Sequence, residues 1–215
     1  LVAAGLFSSQ EEIDAWPVQS WGEVHPGDIK YLDLNGDGIV SPDDRKPIGY
    51  PNVPEITYGF GASVKWKGFD LSVFFQGVGN VNFFANNTYT QPFTANSVSL
   101  SNVFTDLIGN YWSENNPDAN AKYPRLTTSA NPNNSQQSTF WMVNGRYMRL
   151  KNAEIGYSLP KKVVNKLRID GLRVYISGMN LLTFSDFKLW DPDLQTGAAN
   201  YPNNRVYNIG VSLIF

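Results

Sequence analysis

The chain has 215 residues, a formal net charge of −2, one histidine and no cysteine. Without cysteine it has no disulfide scaffold, thiolate metal site or cysteine nucleophile, and without a basic stripe it offers no surface for nucleic acid. Its 13 Phe, 11 Tyr, 6 Trp and 18 Gly favour strands and loops over helices, and no apolar run approaches the length of a membrane-spanning helix. The histidine, His25, lies in a turn-like Val-His-Pro-Gly segment and is not predicted to be catalytic. The start at Leu1, without methionine or a signal peptide, predicts a fragment.

Residues 33–44 form an acidic loop that matches the calcium-loop pattern. Calcium binds about six or more hard oxygen ligands, and a sharp turn at Gly38 would let them converge. The predicted ligands are Asp33, Asn35, Asp37, the backbone carbonyl of Ile39, Ser41 and Asp44. Pro42 precludes a simple EF-hand helix pair, so a dockerin-like half-loop is the closer comparison. The alternative is an Asp/Asn/Gly-rich turn that binds no ion.

Two strands joined by a tight turn are predicted from residue 55 to residue 77. Over residues 55–67 apolar side chains alternate with polar residues or glycine without exception, and this run is longer than the roughly five or six residues usual in a soluble strand. The length suits a tilted membrane strand of about nine to eleven residues. Residues 69–77 form the second strand, after a two-residue turn in which Gly68 supplies positive φ. Trp66 and Phe69, which flank the turn, are expected to pair on the apolar face.

Three more strands are predicted further along the chain. They cover residues 146–158, 172–182 and 207–215. Within the first of them Met148 and Leu150 have the opposite parity to the apolar residues that follow, which indicates either a β-bulge or a strand that rises above the bilayer. Long polar connections, 78–145 and 183–204, alternate with short ones, as outer loops and inner turns do in outer-membrane barrels. A short helical segment is predicted near residues 103–112.

The apolar faces of these strands are rich in Phe, Tyr and Trp near the strand ends, and the opposite faces carry Gly, Ser, Asn, Thr and charges. In an outer-membrane barrel the outward face contacts lipid, aromatic residues collect at the interfaces, and the inward face contacts water. Every backbone group must be paired in lipid, so the sheet has to close, which takes about eight strands or more. The five predicted strands therefore require others upstream of Leu1. A soluble β-domain with alternating faces is the alternative.

The end of the chain matches the signal that the barrel-assembly machinery recognises. A polar residue, a glycine, a hydrophobic residue and a terminal aromatic residue stand at the required spacing. These residues are Asn208, Gly210, Leu213 and Phe215. The pattern predicts outer-membrane lipid and the assembly machinery as partners, and a last strand that ends in Phe by coincidence is the alternative.

Six stretches of the chain match a known family in order. They are residues 26–31, 48–52, 57–61, 146–152, 156–160 and 172–183. Through them the chain resembles the SusC-like (SusC/RagA) TonB-dependent outer-membrane transporters. The resemblance implies an all-β fold: the C-terminal five or so antiparallel strands of a large transmembrane barrel of about 22 strands, with long extracellular loops. Residues 1–54 would be an extracellular loop with the calcium-type loop, and residues 55–215 the barrel strands, of which 69–77 and 146–158 are joined by the extracellular loop 78–145.

The resemblance also implies a function, the import of oligosaccharides or peptides across the bacterial outer membrane. The barrel would be plugged, would be capped by a SusD-like surface lipoprotein, and would be driven by TonB through an amino-terminal part that lies outside this chain. No catalytic residue is implied, and the substrate-binding residues stay unassigned.

Two other functions remain open. An extracellular carbohydrate-binding or adhesion module would use the acidic loop as a dockerin-type contact. A hydrolase would use paired carboxylates such as Asp191 and Asp193, which is a weak signal because many turns contain two acids. The side chains of Trp112, Trp141, Trp190, Asp191 and Asp193 could contact sugar by stacking or hydrogen bonding, although stabilisation of their own loops is the favoured interpretation for each.

Overall fold

A computed structural model describes residues 1–87, 89–93, 103–197 and 200–215. The chain divides into two compact units. The loop unit comprises Leu1–Asn52, Asn82–Asn144 and Leu194–Ala199, and the strand unit comprises Val53–Val81, Gly145–Asp193 and Asn200–Phe215. Within the described part of the chain, no helix is long and apolar enough to span a membrane.

Strands dominate the described residues. In chain order they are β1 (Ala3–Leu6), β2 (Val18–Gln19), β3 (Ile29–Tyr31), β4 (Ile39–Val40), β5 (Ile56–Trp66), β6 (Phe69–Gly79), β7 (Asn82–Phe84), β8 (Met142–Asn144), β9 (Tyr147–Ser158), β10 (Gly171–Ser185) and β11 (Val206–Ile214). The α-helices are α1 (Gln10–Asp14) and α2 (Lys161–Val164), and 3-10 turns cover Pro42–Asp44, Thr105–Leu107, Asn165–Leu167 and Pro192–Leu194.

The strand unit is one antiparallel sheet in the order β11-β10-β9-β6-β5. All five predicted strands are present, and β6, β10 and β11 begin or end up to three residues beyond the predicted bounds. The turn between β5 and β6 has φ of 47° at Lys67 and 91° at Gly68, as a two-residue hairpin requires. Trp66 pairs with Phe69, so the predicted hairpin and its register are confirmed.

A β-bulge in β9 explains the change of parity that the sequence shows in this strand. On β6, the neighbours Phe74 and Phe75 pair with Asn152 and Leu150, so Lys151 is an additional residue without a partner on β6. The register of β10 shifts at the same level, where Asn180 adopts φ of 55°. The bulge was one of two interpretations left open by the sequence, and the strand pairing confirms it.

The register collects most of the apolar residues of the five strands on one face. This face is unusually exposed: Trp66 on β5 is 65% exposed, Ile176 on β10 is 52% and Ile209 on β11 is 80%. Other exposed members of the face are Ile56, Tyr58, Phe60, Val64, Phe69, Leu71, Ile155, Val174, Leu182, Phe184, Tyr207, Val211 and Leu213. No second layer of the strand unit covers these described side chains, so the face is apolar and open.

The opposite face of the sheet is mixed, with polar and charged side chains beside a smaller number of apolar ones that include Met179, Val206 and Ile214. Thr57, Ser63, Ser72, Glu154 and Ser177 lie on it. Phe74 also lies on it, and its ring covers Gly59 and Gly61, where an added Cβ would come within 3.0 Å and 3.3 Å of ring atoms. The two glycines therefore make room for an aromatic side chain that the alternation alone does not explain.

The loop unit has a small core of its own. In it β1 pairs with β3, β2 with β4 and β7 with β8. Its buried side chains include Leu6, Ile29, Tyr31, Val40, Leu107, Trp112, Tyr123 and Trp141. Burial of both tryptophans agrees with the interpretation that they stabilise their loops.

A fully buried carboxylate, Asp28, organises the polar interior of the loop unit. It accepts hydrogen bonds from the backbone N–H of His25 (2.9 Å), from Nε and Nη2 of Arg125 (2.7 and 3.2 Å), and from the side-chain amides of Asn131 (2.9 Å) and Asn134 (2.8 Å). Asn134 Oδ1 in turn accepts the N–H of Ile29. A buried charge is tolerated only when it is paired and hydrogen-bonded, which is why Asp28 has so many partners. These partners connect residues about a hundred positions apart in sequence.

The predicted helical segment at residues 103–112 is shorter than expected. Only Thr105–Leu107 is helical, as a 3-10 turn, because Ile108 is extended and Gly109 has φ of 79°. The predicted loops 78–145 and 183–204 include residues 88, 94–102 and 198–199, which lie outside the described residues.

Candidate functional site

The polar face of the sheet carries a charged cluster near the β5–β6 turn. Arg173 on β10 donates through Nε to Asp70 Oδ1 on β6 (3.0 Å) and through Nη2 to Glu154 Oε1 on β9 (2.6 Å), and Nη2 also contacts Asp70 Oδ2. The guanidinium lies flat over β9, since a Cβ added at Gly156 would come within 2.3 Å of Nη2. It also faces the Tyr175 ring at 4.9 Å. One arginine therefore connects three strands on the polar face.

A second cluster lies at the other end of β9 and β10. Arg149 is 2% exposed and donates to Asp191 Oδ1 (2.5 Å) and Thr183 Oγ1 (3.0 Å), and its Nη1 lies 3.6 Å from Asp193 Oδ2. The Tyr147 ring lies 5.0 Å from the guanidinium, and its hydroxyl donates to Asp193 Oδ1 (2.9 Å). Both carboxylates considered for a hydrolase thus face a buried cation, Asp191 through a direct hydrogen bond and Asp193 at 3.6 Å. Their role in the strand unit is to neutralise Arg149.

The six predicted calcium ligands all lie in one hydrogen-bonded loop of the loop unit. Asp33 accepts the N–H groups of Gly36 (2.7 Å) and Gly38 (2.8 Å), and Asp37 Oδ1 accepts that of Ile39 (2.8 Å). Asn35 Oδ1 accepts the N–H of Asp37 (3.0 Å), and Asn35 Nδ2 donates to Asp37 Oδ2 (3.0 Å).

Asp44 closes this loop from its far end. It is fully buried and accepts the N–H of Ser41 at Oδ2 (2.8 Å) and those of Leu34 (2.6 Å) and Asn35 (3.2 Å) at Oδ1. The Ser41 N–H above all, and then the Leu34 and Asn35 N–H groups, lower the pKa of the Asp44 carboxyl below its ordinary value. Ser41 and Asp44 also form a capping box on the 3-10 turn.

The loop has the oxygen-rich donor set that a hard cation requires. Among the described residues, however, no three acidic or histidine side chains converge in the arrangement of a metal site. In this geometry the carboxylates accept backbone N–H groups instead. Calcium binding by residues 33–44 stays a prediction.

Three of the predicted barrel-assembly residues, Asn208, Gly210 and Leu213, lie in β11, and Phe215 follows the strand. Leu213 is 50% exposed on the apolar face and Phe215 is 86% exposed. Gly210 lies under the Tyr175 ring, where a Cβ would come within 2.3 Å of the ring, so this glycine also has a packing role. Recognition by the assembly machinery stays a prediction.

Strand count, strand length and an exposed apolar face opposite a charged polar face define a class: the sheet is part of a membrane β-barrel wall. No protein-family model matches the chain. It is 31% identical over 209 residues to TonB-dependent receptor P3 of Formosa agariphila. The aligned region covers 90% of this chain and 20% of that receptor. It is 32% identical over 232 residues to TonB-dependent receptor P26 of the same organism. This aligned region covers 98% of this chain and 22% of that receptor. The chain thus spans about a fifth of the length of these relatives.

Solved structures of the RagAB peptide importer share the fold. The open-open state has a TM-score of 0.69 at 25% sequence identity, and the RagAB peptide transporter has 0.70 at 26%. Each comparison covers 100% of this chain and 22% of the solved chain. The resemblance read from the sequence is therefore confirmed: over nearly its whole length the chain is similar to TonB-dependent receptors, and it shares its fold with part of RagAB. These relatives are receptors and importers, in agreement with the expectation that the chain is not an enzyme.

Proposed function

We propose that the chain forms part of the barrel wall of an outer-membrane transporter that imports oligosaccharides or peptides. The two-faced sheet is the observation that carries this proposal. Strands β5 and β6 have 11 residues each, which at about 3.3 Å per residue gives about 36 Å. A tilt of about 45° reduces this to about 25 Å, the height of the apolar band of outer-membrane barrels.

The exposed apolar face supports lipid as its neighbour. An unbroken apolar surface over five strands exceeds the few hundred Å² that soluble proteins usually leave open to water. The charged clusters around Arg173 and Arg149 occupy the opposite face, where a water-filled lumen would solvate their exposed parts. Lipid on one side and water on the other therefore suit the observed distribution of side chains.

The whole receptor would work with TonB and with a SusD-like surface lipoprotein. Similarity to TonB-dependent receptors and to the RagAB peptide importer supports this part of the proposal. The loop unit would lie outside the cell, where its acidic loop would bind a structural calcium ion. The oxygen-rich side chains of residues 33–44 support the proposal that calcium binds there.

Cysteine labelling tests the orientation of the sheet in a receptor from which any cysteine outside this cysteine-free chain has been removed. In full-length receptor in outer membranes, Ser177→Cys should react with a charged, water-soluble maleimide, and Ile176→Cys should react at least about tenfold more slowly. These neighbours on β10 lie at the same height on opposite faces. Equal labelling of both in folded receptor, or release of the receptor without detergent, would support the extracellular module instead.

A further inference from the structure

An open cavity of about 240 Å³ lies in the strand unit beside the Arg149 cluster. Its walls are the ends of β9 and β10, the segment that follows β10 and the residues just before β11. Its charged lining residues are Arg149, Lys188, Arg205 and Asp191. Three of these side chains are cations and one is a carboxylate.

The one carboxylate in the lining is already neutralised. Asp191 accepts from Arg149 at 2.5 Å, and both side chains are largely buried. Asp193, outside the lining, is 3.6 Å from Arg149 and accepts from Tyr147 and Asn203. The local acids are thus engaged with Arg149 and its neighbours.

Lys188 and Arg205 are left with uncompensated charge. Neither forms an ion pair with any residue in the described ranges, although both line the cavity. Amide and hydroxyl groups of Asn203, Asn180 and Thr183 stand beside them, and Asn180 Oδ1 is buried without a hydrogen-bond partner among the described residues. Two free cations next to neutral polar groups suit a ligand that carries both an anion and hydrogen-bonding groups.

We propose that this cavity is a binding subsite for a carboxylate carried by a short imported oligomer. Lys188 and Arg205 bind the carboxylate, and Asn180, Thr183 and Asn203 bind neighbouring hydroxyl or amide groups of the same oligomer. Arg149 takes no direct part because its charge is neutralised by Asp191. The inference rests on the proposed transport function, which it extends by naming the class of substrate.

Calorimetric titration of the full-length receptor, purified in detergent, tests this subsite. The probes are tetragalacturonate and its fully methyl-esterified form, and a tetraglutamate peptide and its tetraglutamine counterpart. We expect one acidic probe to bind more tightly than its neutral partner, and its affinity to fall when sodium chloride is raised from about 0.05 M to about 0.5 M. Preference for tetragalacturonate identifies a uronate as the source of the carboxylate, and preference for tetraglutamate identifies a peptide.

The double variant Lys188→Ala, Arg205→Ala should lower the affinity for the preferred acidic probe about tenfold, because each exposed cation contributes about threefold. A matched control, Lys161→Ala with Lys162→Ala, removes the same charge from the exposed helix α2 outside the cavity and should leave affinity within about twofold. Retention of heat-dependent gel mobility shows that both variants form a folded barrel.

Equal affinity for acidic and neutral probes, or an equal loss in both double variants, overturns the subsite. Failure of the transport proposal is recognised separately, because cysteine labelling reports the orientation of the sheet without any ligand. A receptor with the expected labelling and no dependence on Lys188 and Arg205 would keep the transport function and lose the carboxylate site.

Discussion

Replacement of Asp28 by Asn is expected to open the loop unit. The carboxylate oxygens accept five hydrogen bonds: Oδ1 from Arg125 Nε, Asn131 and Asn134, and Oδ2 from His25 and Arg125 Nη2. An amide has only one oxygen, so its NH₂ group would face at least two of these donors in either orientation. Arg125 would also lose its counter-ion. Removal of one partner of a buried ion pair costs about 3–5 kcal/mol.

Hydrogen exchange measures this cost locally. The N–H of Ile29 donates to Asn134 and the N–H of Phe7 donates to the backbone oxygen of Asp28, so both report on this interior. A loss of about 3 kcal/mol or more should accelerate their exchange by about a hundredfold or more in Asp28→Asn. Asp14→Asn is the control, because Asp14 makes only an exposed side-chain contact with Gln10. Acceleration of less than about tenfold at both amides would refute the reasoning.

Three further predictions concern the sheet and the acidic loop. Gly156→Ala should displace Arg173 and destabilise the folded receptor by about 1–3 kcal/mol, which lowers the thermal unfolding temperature of the purified receptor. Gly79→Ala should change that temperature little, because a Cβ at Gly79 meets nothing closer than 3.6 Å. Because the folded pKa of Asp44 is lowered, its stabilisation of the loop is complete above the unfolded value of about 3.9 and is lost as pH falls through the folded pKa. Protection of the Leu34 amide, measured as its exchange rate relative to the intrinsic rate at the same pH, should fall in that range, and Asp44→Asn should remove this change. Calcium should slow exchange of the Gly36 and Gly38 amides, and Asp33→Ala should abolish the effect.

Each of these predictions has an outcome that contradicts it. Equal destabilisation by the two glycine variants would mean that the contact of Gly156 with Arg173 has no special role. Protection of the Leu34 amide that falls equally with pH in Asp44→Asn would assign the titration to another group. If calcium leaves exchange unchanged at millimolar concentration, the acidic loop is a turn held by its own hydrogen bonds.

The strands and their faces could be predicted from local pattern. Successive side chains of a strand point to opposite faces, so the alternation from Ile56 to Trp66 predicts one apolar face before any partner strand is known. The hairpin was equally predictable, because Lys67 and Gly68 leave only one register in which Trp66 meets Phe69. The apolar residues of β10 and β11 followed by the same rule.

The contents of the loops could not be predicted in this way. Nothing in the local pattern of residues 25–28 indicates that Asp28 will bind Asn131 and Asn134, since these partners are about a hundred residues away. Phe74 looked misplaced on a polar face until the pairing of β6 with β5 placed it over Gly59 and Gly61. The cavity next to Lys188 and Arg205 likewise had no sequence signal, because its lining comes from β9, β10 and the residues before β11.

The sequence by itself determined that five long strands form, which face of each is apolar and where the chain turns between β5 and β6. These are properties of neighbouring residues and of the strand's period of two. Only the tertiary structure decided which charges meet: Arg173 with Asp70 and Glu154, and Arg149 with Asp191. The physical reason is that a hydrogen bond or an ion pair acts over a few ångströms, and the register of strands far apart in sequence decides which side chains come that close.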